Sequence, residues 1–145
     1  MTRILKARRG FTLIELVIII VILGILATQA IPTYLSMVDD AKRASAKANL
    51  GSLRSSISIF YAYKATPMGG ESATWPTLTQ LTDQITVLNG QMPDNGYDTT
   101  SVKNDVVAGV TNHLVVAGGA GWTYIATSGL IWLNTSTTGI SENLW

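Results

Sequence analysis

Glu15 is the residue with the clearest chemical consequence, because it is a lone carboxylate at the start of a long apolar stretch. Residues 16–27 are continuously apolar, and no charged side chain occurs between Leu16 and Val38. About 20 apolar residues span the hydrocarbon core of a bilayer, so this stretch is long enough to cross one. Insertion scales put charged side chains at mid-helix at about 2.5–3.5 kcal/mol. Glu15 therefore needs a partner, and the chemistry to expect is the pairing of its charge.

Four basic residues precede this stretch and set its orientation. No acidic residue precedes Glu15. The basic residues that precede it are Arg3, Lys6, Arg8 and Arg9. By the positive-inside rule, residues 1–10 stay in the cytoplasm and the C-terminal region is exported. The formal net charge is +1, and without these four residues it becomes −3, from six basic and nine acidic side chains. The exported part therefore offers no basic patch for nucleic acid.

Carboxylates that could bind a cation are few. Asp94, Asp98 and Asp105 are weak candidates for calcium, but their spacing does not match an EF-hand loop. Residues 92–96, which read Met-Pro-Asp-Asn-Gly, fit a turn more simply. The chain has no cysteine, which excludes disulfides, thiolate metal sites and a cysteine nucleophile. We expect no cofactor, with calcium as the one weak exception.

Enzymatic motifs do not emerge from the sequence. His113 is the single histidine, and no cluster of carboxylates accompanies it, so a strand position is a simpler interpretation than a catalytic or metal role. Ser128-Gly129 lacks the strand-turn-helix setting of a nucleophile elbow. Residues 118–121 are glycine-rich but lack the lysine of a phosphate-binding loop. The protein is therefore predicted not to be an enzyme.

Two further patterns have both a structural and a functional interpretation. The tryptophans could form a ligand platform, although such residues are more often core or subunit-contact groups; they are Trp75, Trp122, Trp132 and Trp145. Asn134-Thr135-Ser136 matches a glycosylation sequon, which is a weak signal in a Thr-rich tract.

One long helix is predicted to position Glu15. After residues 1–10, a helix from Phe11 would occupy the membrane over residues 11–32. Pro32 removes a backbone hydrogen bond and clashes with the preceding turn, and Gly24 is a second weak point. We expect a kink or a meltable stretch between them, with Thr28 satisfying a freed carbonyl.

Residues 33–64 are predicted to form an amphipathic second half of this helix. One face, spaced alternately by four and three, contains Tyr34, Val38, Ala41, Ser45 and Ala48. A second stripe, one step round the helix, contains Leu50, Leu53, Ile57 and Phe60. Such a pattern indicates that one face packs against another element. The helix is predicted to end near Lys64, before a Pro- and Gly-containing segment.

Residues 65–145 predict a small globular β domain. Candidate strands are residues 85–88, 106–110, 113–117, 122–126 and 130–133, and residues 77–82 predict a short helix. The glycine-bearing connection at residues 127–129 indicates a hairpin. The fold class is α+β: a long N-terminal helix, transmembrane and then amphipathic, packed against a small antiparallel sheet.

The segment Gly10-Phe11-Thr12-Leu13-Ile14-Glu15-Leu16 resembles the processing motif of type IV pilins and type II secretion pseudopilins. The resemblance covers the first quarter of the chain and rests on the basic leader, the glycine, the phenylalanine and the glutamate four residues later. Residues 121–134 are similar, less specifically, to a terminal hairpin of such subunits. The resemblance implies the pilin fold.

The resemblance also implies processing and assembly. A prepilin peptidase would cut between Gly10 and Phe11, and the new amine on Phe11 would be methylated. Inner-membrane machinery would then assemble the subunit into a filament with its own copies or with other pilin-like subunits. Physical chemistry agrees, because a glycine lets a protease approach the backbone closely and the cut creates a cation at the head of an apolar helix.

Two partners for Glu15 then stay open. Phe11 is four residues away on the same helix, so its amine could reach Glu15 within one chain. We favour the amine of a neighbouring subunit, because it explains why a costly acid stands there. A purely structural alternative is that an acid in the first turn interacts favourably with the helix macrodipole. This interaction contributes about 0.3–1 kcal/mol, which is too small to offset the insertion cost.

Alternatives to a surface pilus subunit are kept. The chain could be a pseudopilin in a periplasmic pseudopilus, which the missing cysteines favour slightly while the weak calcium loop does not. It could also be a membrane-anchored or secreted binding domain that does not polymerise. An ordinary secretory signal, cut after Ala27 or Ala30, would release such a domain, although Glu15 interrupts its apolar region.

Overall fold

The computed structural model describes residues 10–83, 85–117, 119–138 and 140–145. Of the predicted leader only Gly10 is among them, and Gly118 of the glycine-rich turn also lies outside the described residues. The chain divides into two compact units, Met1–Asp40 and Ala41–Trp145. The predicted α+β class is confirmed, with helices and a small sheet in one chain.

Helix α1 (Leu13–Lys64) begins in the first unit, where its apolar side chains are exposed. By length and composition it is able to cross a membrane. Helical geometry continues through Pro32, whose missing N–H leaves the Thr28 carbonyl without its helical bond. The Thr28 hydroxyl donates to Ile25 O at 2.7 Å, so it does not serve the freed carbonyl as predicted. The kink between Gly24 and Pro32 stays a prediction.

The second half of α1 supplies one wall of the core in the second unit. The predicted stripe is confirmed, since the buried residues of α1 are Ala46, Leu50, Leu53, Ile57 and Phe60. Ala46 continues this stripe towards the N-terminus, whereas the predicted Ser45 and Ala48 are exposed. Ala46 lies four residues before Leu50 and so on the same face of the helix, which is the face that packs against the core. Ser45 and Ala48 lie on other faces.

A three-stranded sheet forms the opposite wall. Its strands are β1 (Val106–Ala108), β2 (Trp122–Ile125) and β3 (Leu130–Leu133), in that spatial order. β2 and β3 form the predicted antiparallel hairpin, which turns at Gly129 with a φ of +70°. β1 pairs with β2 in parallel, so the sheet is mixed and the prediction of a wholly antiparallel sheet is wrong in this respect. The side chains that the sheet contributes to the hydrophobic core cluster are Trp122, Tyr124, Ile131 and Leu133.

The parallel pairing explains how the connection between β1 and β2 runs. Parallel strands cannot be joined by a tight turn and need a crossover of a dozen or more residues. Here the connection occupies residues 109–121, and part of it lies against Trp132, whose indole N–H donates to Leu114 O at 3.1 Å. The connection therefore covers Trp132, which is 1% exposed.

Two of the predicted strands are not formed. Residues 113–117 are irregular, because His113 has a left-handed φ of +59° that breaks an extended run. Residues 85–88 are also irregular, because the Asp83 carboxylate accepts hydrogen bonds from the N–H groups of Ile85 and Thr86 and holds a turn there. In both places local geometry overrides the β propensity of the apolar side chains.

Helix α2 (Leu78–Thr82) confirms the predicted short helix. Thr77 caps its start, with a hydroxyl that accepts from Gln80 N–H, while Gln80 Oε1 accepts from Thr77 N–H at 2.9 Å. This reciprocal arrangement satisfies two of the free N–H groups of the first turn. Leu81 is fully buried and belongs to the core cluster, so α2 closes one side of the domain.

The C-terminal segment is held to α1 without a covalent link. Arg54 donates to Trp145 O at 2.6 Å, and the Lys47 ammonium lies 4.6 Å from the centroid of the Trp145 ring. Tyr97 meets the same ring edge-on at 5.9 Å between centroids. Burial lowers the pKa of Arg54 below its usual value. A domain without disulfides thus uses a cation, a π-system and a main-chain oxygen to fix this segment.

Glu142 is a buried acid within the same segment. Its carboxylate accepts from the Thr137 N–H at 2.8 Å and from the Thr137 hydroxyl at 2.7 Å. Burial raises the pKa of Glu142, but hydrogen bonds from Thr137 and Thr135 lower it more, and the net pKa lies below the ordinary value of 4.5. A folded pKa below the unfolded one stabilises the fold above pH 4.5, and this contribution is lost as the pH falls through the folded value.

We expect Glu142→Gln to lower the free energy of unfolding at neutral pH by about 1–3 kcal/mol, because an amide replaces one acceptor by a donor facing the Thr137 N–H. The variant should also lose less stability than the parent as the pH is lowered. Urea unfolding of both chains in detergent, followed from neutral to acidic pH, measures the two effects. If the free energy of unfolding fell with decreasing pH equally steeply in both chains, this role for Glu142 would be contradicted.

Candidate processing and assembly site

Helix α1 begins with a capping box made of Thr12 and Glu15. Glu15 Oε2 accepts from the Thr12 N–H at 2.9 Å and from the Thr12 hydroxyl at 2.8 Å. The Glu15 N–H donates back to the Thr12 hydroxyl at 3.3 Å. This reciprocal pattern satisfies N–H groups that have no helical partner at a helix start. Glu15 therefore has a partner within its own chain before any amine is considered.

Sequence reasoning from charge alone overlooks Thr12. The spacing Thr12-Leu13-Ile14-Glu15 fits the signature of a capping box, an N-cap Thr followed three residues later by Glu. The signal is therefore present in the sequence, and it gives the acid a role at the helix start that the macrodipole argument leaves out.

The capping box uses only one of the two carboxylate oxygens of Glu15. Both hydrogen bonds from Thr12 go to Oε2, and Oε1 has no hydrogen-bond partner among the residues that the structure describes. The side chain is exposed, as is the adjacent Phe11, which is 79% exposed. Capping and pairing with a cation are thus compatible, because each needs only one oxygen.

Gly10 is not required by the fold. A Cβ added at Gly10 would meet no described atom within 4 Å. By contrast, a Cβ added at Gly121 would lie 1.8 Å from the Lys103 carbonyl oxygen, so that glycine is required by packing. Among the residues that the structure describes, nothing therefore requires a glycine at position 10, and recognition by another molecule would explain it.

Two of the three candidate calcium ligands have other partners in the structure. Asp94 pairs with the Lys103 ammonium at 2.7 Å. Asp98 Oδ1 accepts from the Thr100 N–H at 2.8 Å, which holds a turn. Within residues 10–83, 85–117, 119–138 and 140–145, no group of three or more metal-ligating side chains comes together, so Asp105 has no such group to join.

His113 serves the packing of the C-terminal segment. Its Nδ1 lies 2.6 Å from Asn143 O, and Asn143 Nδ2 donates to His113 O at 2.6 Å. The ring also lies 5.8 Å from the Trp132 ring between centroids. The predicted strand position is wrong, yet the simpler interpretation of His113 as a structural residue agrees with these contacts.

The tryptophans do not form an open platform. Trp122 and Trp132 are buried. Trp75 has its ring stacked on Tyr61 at 4.1 Å, and its atoms lie so close to Gly129 that a Cβ there would approach Trp75 to 2.2 Å. These side chains are packed on protein, which favours the structural interpretation.

The sequon asparagine is a structural residue. Asn134 is 6% exposed, and its amide makes four hydrogen bonds. Oδ1 accepts from the Val116 N–H and the Thr123 hydroxyl, while Nδ2 donates to the carbonyls of Val116 and Ala120. A glycan on Nδ2 would replace one of these two donated hydrogens and displace a carbonyl at a buried position, so the folded domain does not present Asn134 for modification.

Comparisons with known proteins give one family profile and several relatives. A family profile described as "Prokaryotic N-terminal methylation motif" matches residues 5–28, which include Gly10, Phe11 and Glu15. Type II secretion system core protein G of Pseudomonas aeruginosa is 35% identical over 71 residues, 46% of this chain and 50% of that protein. Type IV major pilin protein PilA of Myxococcus xanthus is 45% identical over 56 residues, 39% of this chain and 26% of that protein.

One relative matches a longer part of the chain at lower sequence identity. Fimbrial protein EcpC of Eikenella corrodens is 28% identical over 114 residues, 79% of this chain and 69% of that protein. The chain spans half or less of the length of the first two relatives named above. No solved structure matches the chain. The family profile at residues 5–28 therefore bears on the segment that holds the capping box and the start of the apolar helix.

Proposed function

We propose that this chain, which shares its N-terminal motif with type IV pilins and type II secretion pseudopilins, is a structural subunit of a pilin-like filament. The observation that carries the proposal is the geometry at Glu15, whose Oε2 is held by Thr12 while Oε1 has no described partner. Cutting after Gly10 would place a new amine on Phe11, and a neighbouring subunit could present that amine to Oε1. The apolar part of α1 then supplies the packing surface.

The partners and location follow from the same proposal. A prepilin peptidase removes residues 1–10, and the chain waits in the inner membrane with its N-terminus in the cytoplasm until assembly machinery extracts it. Residues 11–32 pack in the filament, and residues 65–145 lie at its surface with residues 33–64 as their support. The role needs neither catalysis nor a cofactor, and calcium at Asp94, Asp98 and Asp105 is not part of it.

A pseudopilus is the second candidate. It is favoured by the relative named as a type II secretion core protein, while the relative named as a major pilin favours a surface pilus. Fibres on the cell exterior that contain this chain would favour the pilus. Retention of the protein in the periplasm with loss of secretion on its deletion would favour the pseudopilus.

Processing gives the most direct test. We expect the mature protein to begin at Phe11 with a methylated amine, because Gly10 is free of packing constraints and stands just before the apolar helix. N-terminal sequencing and intact mass of the membrane-extracted chain measure both features. Gly10→Val should block the cut while leaving the domain folded, since a Cβ at this position meets no described atom within 4 Å. A mature terminus at Thr28 or Ile31 would replace the proposal by a secreted domain.

A further inference from the structure

We propose that Asn89 is a site of spontaneous modification, where the side-chain amide is lost by deamidation through Gly90, and that the fold protects Asn95 from the same reaction. Asn-Gly occurs at these two places in the sequence and nowhere else. The two dipeptides have the same covalent structure, so a difference between their reactivities that disappears on unfolding comes from the fold. The inference does not depend on the proposed function.

The reaction needs only the chain and water. The main-chain nitrogen of Gly90, after losing its proton, attacks the side-chain carbonyl carbon of Asn89. A nitrogen–carbon bond forms, the bond from that carbon to Nδ2 breaks, and ammonia leaves with the proton. Water then opens the cyclic imide at either carbonyl to give aspartate or isoaspartate. A following glycine favours the attack because it has no Cβ to obstruct the nitrogen.

The surroundings of Asn89 permit this attack. Asn89 and Gly90 are both exposed and lie in an irregular segment between α2 and Met92. Among the described residues, neither the Asn89 amide nor the Gly90 N–H has a hydrogen-bond partner. A Cβ added at Gly90 would meet nothing within 4 Å, which shows open space around the attacking nitrogen. Nothing described therefore holds the amide away from Gly90.

The surroundings of Asn95 prevent it. The Asn95 side chain is fully buried. Its Nδ2 donates to Gly121 O at 2.8 Å and to the Thr135 hydroxyl at 3.1 Å, and its Oδ1 accepts from the Tyr97 N–H at 3.0 Å. Turning the amide carbon towards Gly96 would break all three bonds and leave buried polar groups unsatisfied. The native state must therefore open before Asn95 reacts.

The two products have different structural consequences. Asn89 has a left-handed φ of +49°, and aspartate tolerates that region about as well as asparagine. Isoaspartate adds a methylene to the main chain between Leu88, which packs against the core, and Met92, which is 8% exposed. Aspartate therefore adds a surface charge with the fold unchanged, whereas isoaspartate disturbs this connection.

The test compares the two sites within one molecule. The full chain in detergent is incubated in mildly alkaline buffer, with and without urea, and both sites are followed by mass spectrometry. No Lys or Arg lies between Lys64 and Lys103, so trypsin leaves both sites in one peptide. A protease that cuts before aspartate separates them at Asp94 and also cuts at the aspartate product of Asn89 but not at isoaspartate.

We expect the unmodified Asn89 peptide to decline in the folded chain while the Asn95 peptide is retained, and both to decline at similar rates in urea. Gly90→Ala is the matched variant, since the fold has room for its Cβ, and it should slow the loss at Asn89 only. Equal loss at both sites in the folded chain would overturn the proposal. So would an Asn89 that stays intact without urea and converts with it.

Discussion

Glu15→Gln is expected to be processed and inserted like the parent chain but to enter filaments roughly tenfold less or worse, because in the proposed filament it would leave the Phe11 amine of a neighbour without its counter-charge. The substitution is chosen to separate two roles of the residue. The amide oxygen of glutamine can still accept from the Thr12 N–H, so the helix start is largely kept. The negative charge that would meet the Phe11 amine of a neighbour is lost.

The measurement is the ratio of sheared or secreted filament to membrane-bound subunit, with the mature N-terminus checked in both fractions. Thr12→Val is the matched control, because it removes the capping hydroxyl and keeps the carboxylate. Losing an N-cap side chain costs about 0.5–2 kcal/mol of helix stability, so this variant should fray at its start and still assemble. Filament loss in Thr12→Val equal to that in Glu15→Gln would assign the role of Glu15 to capping.

The regular features of the chain were within reach of sequence reasoning. The stripe through Leu50 and Ile57 and the hairpin around Gly129 depend on periodicity and on one turn, and both are found. The apolar length of α1 and the position of Glu15 follow in the same way. Such local patterns determine which face is buried before any partner element is known.

The irregular features were out of reach for a physical reason. Residues 113–117 have the composition of a strand, but the main-chain groups of Val116 bond to the side chain of Asn134, eighteen residues away. The parallel pairing of β1 with β2 likewise depends on where the crossover lies, and three-residue strands carry too little pattern to indicate direction. The contact with Asn134 thus acts together with the left-handed φ of His113, and neither is visible in the β propensity of the segment. At the N-terminus the missed feature is local, and Thr12 was readable from its spacing to Glu15.

Asn134→Ala should be the most damaging single substitution in the polar part of the domain. It leaves the Val116 N–H and carbonyl, the Ala120 carbonyl and the Thr123 hydroxyl without their partner. Each unsatisfied buried group costs about 1–3 kcal/mol, and because the connection can relax and admit water, the expected total is roughly 3–4 kcal/mol rather than the full sum.

The connection between β1 and β2 should respond first, since Asn134 holds it against Trp132. We therefore expect the Trp132 ring to gain exposure, seen as a red shift in fluorescence, along with a lower urea midpoint. Asn112→Ala is the control, because Asn112 is exposed on the same connection and its loss should change stability by about 0.5 kcal/mol or less. A small effect at Asn134, or a glycan found on it in the folded protein, would contradict its role as the residue that organises this face of the sheet.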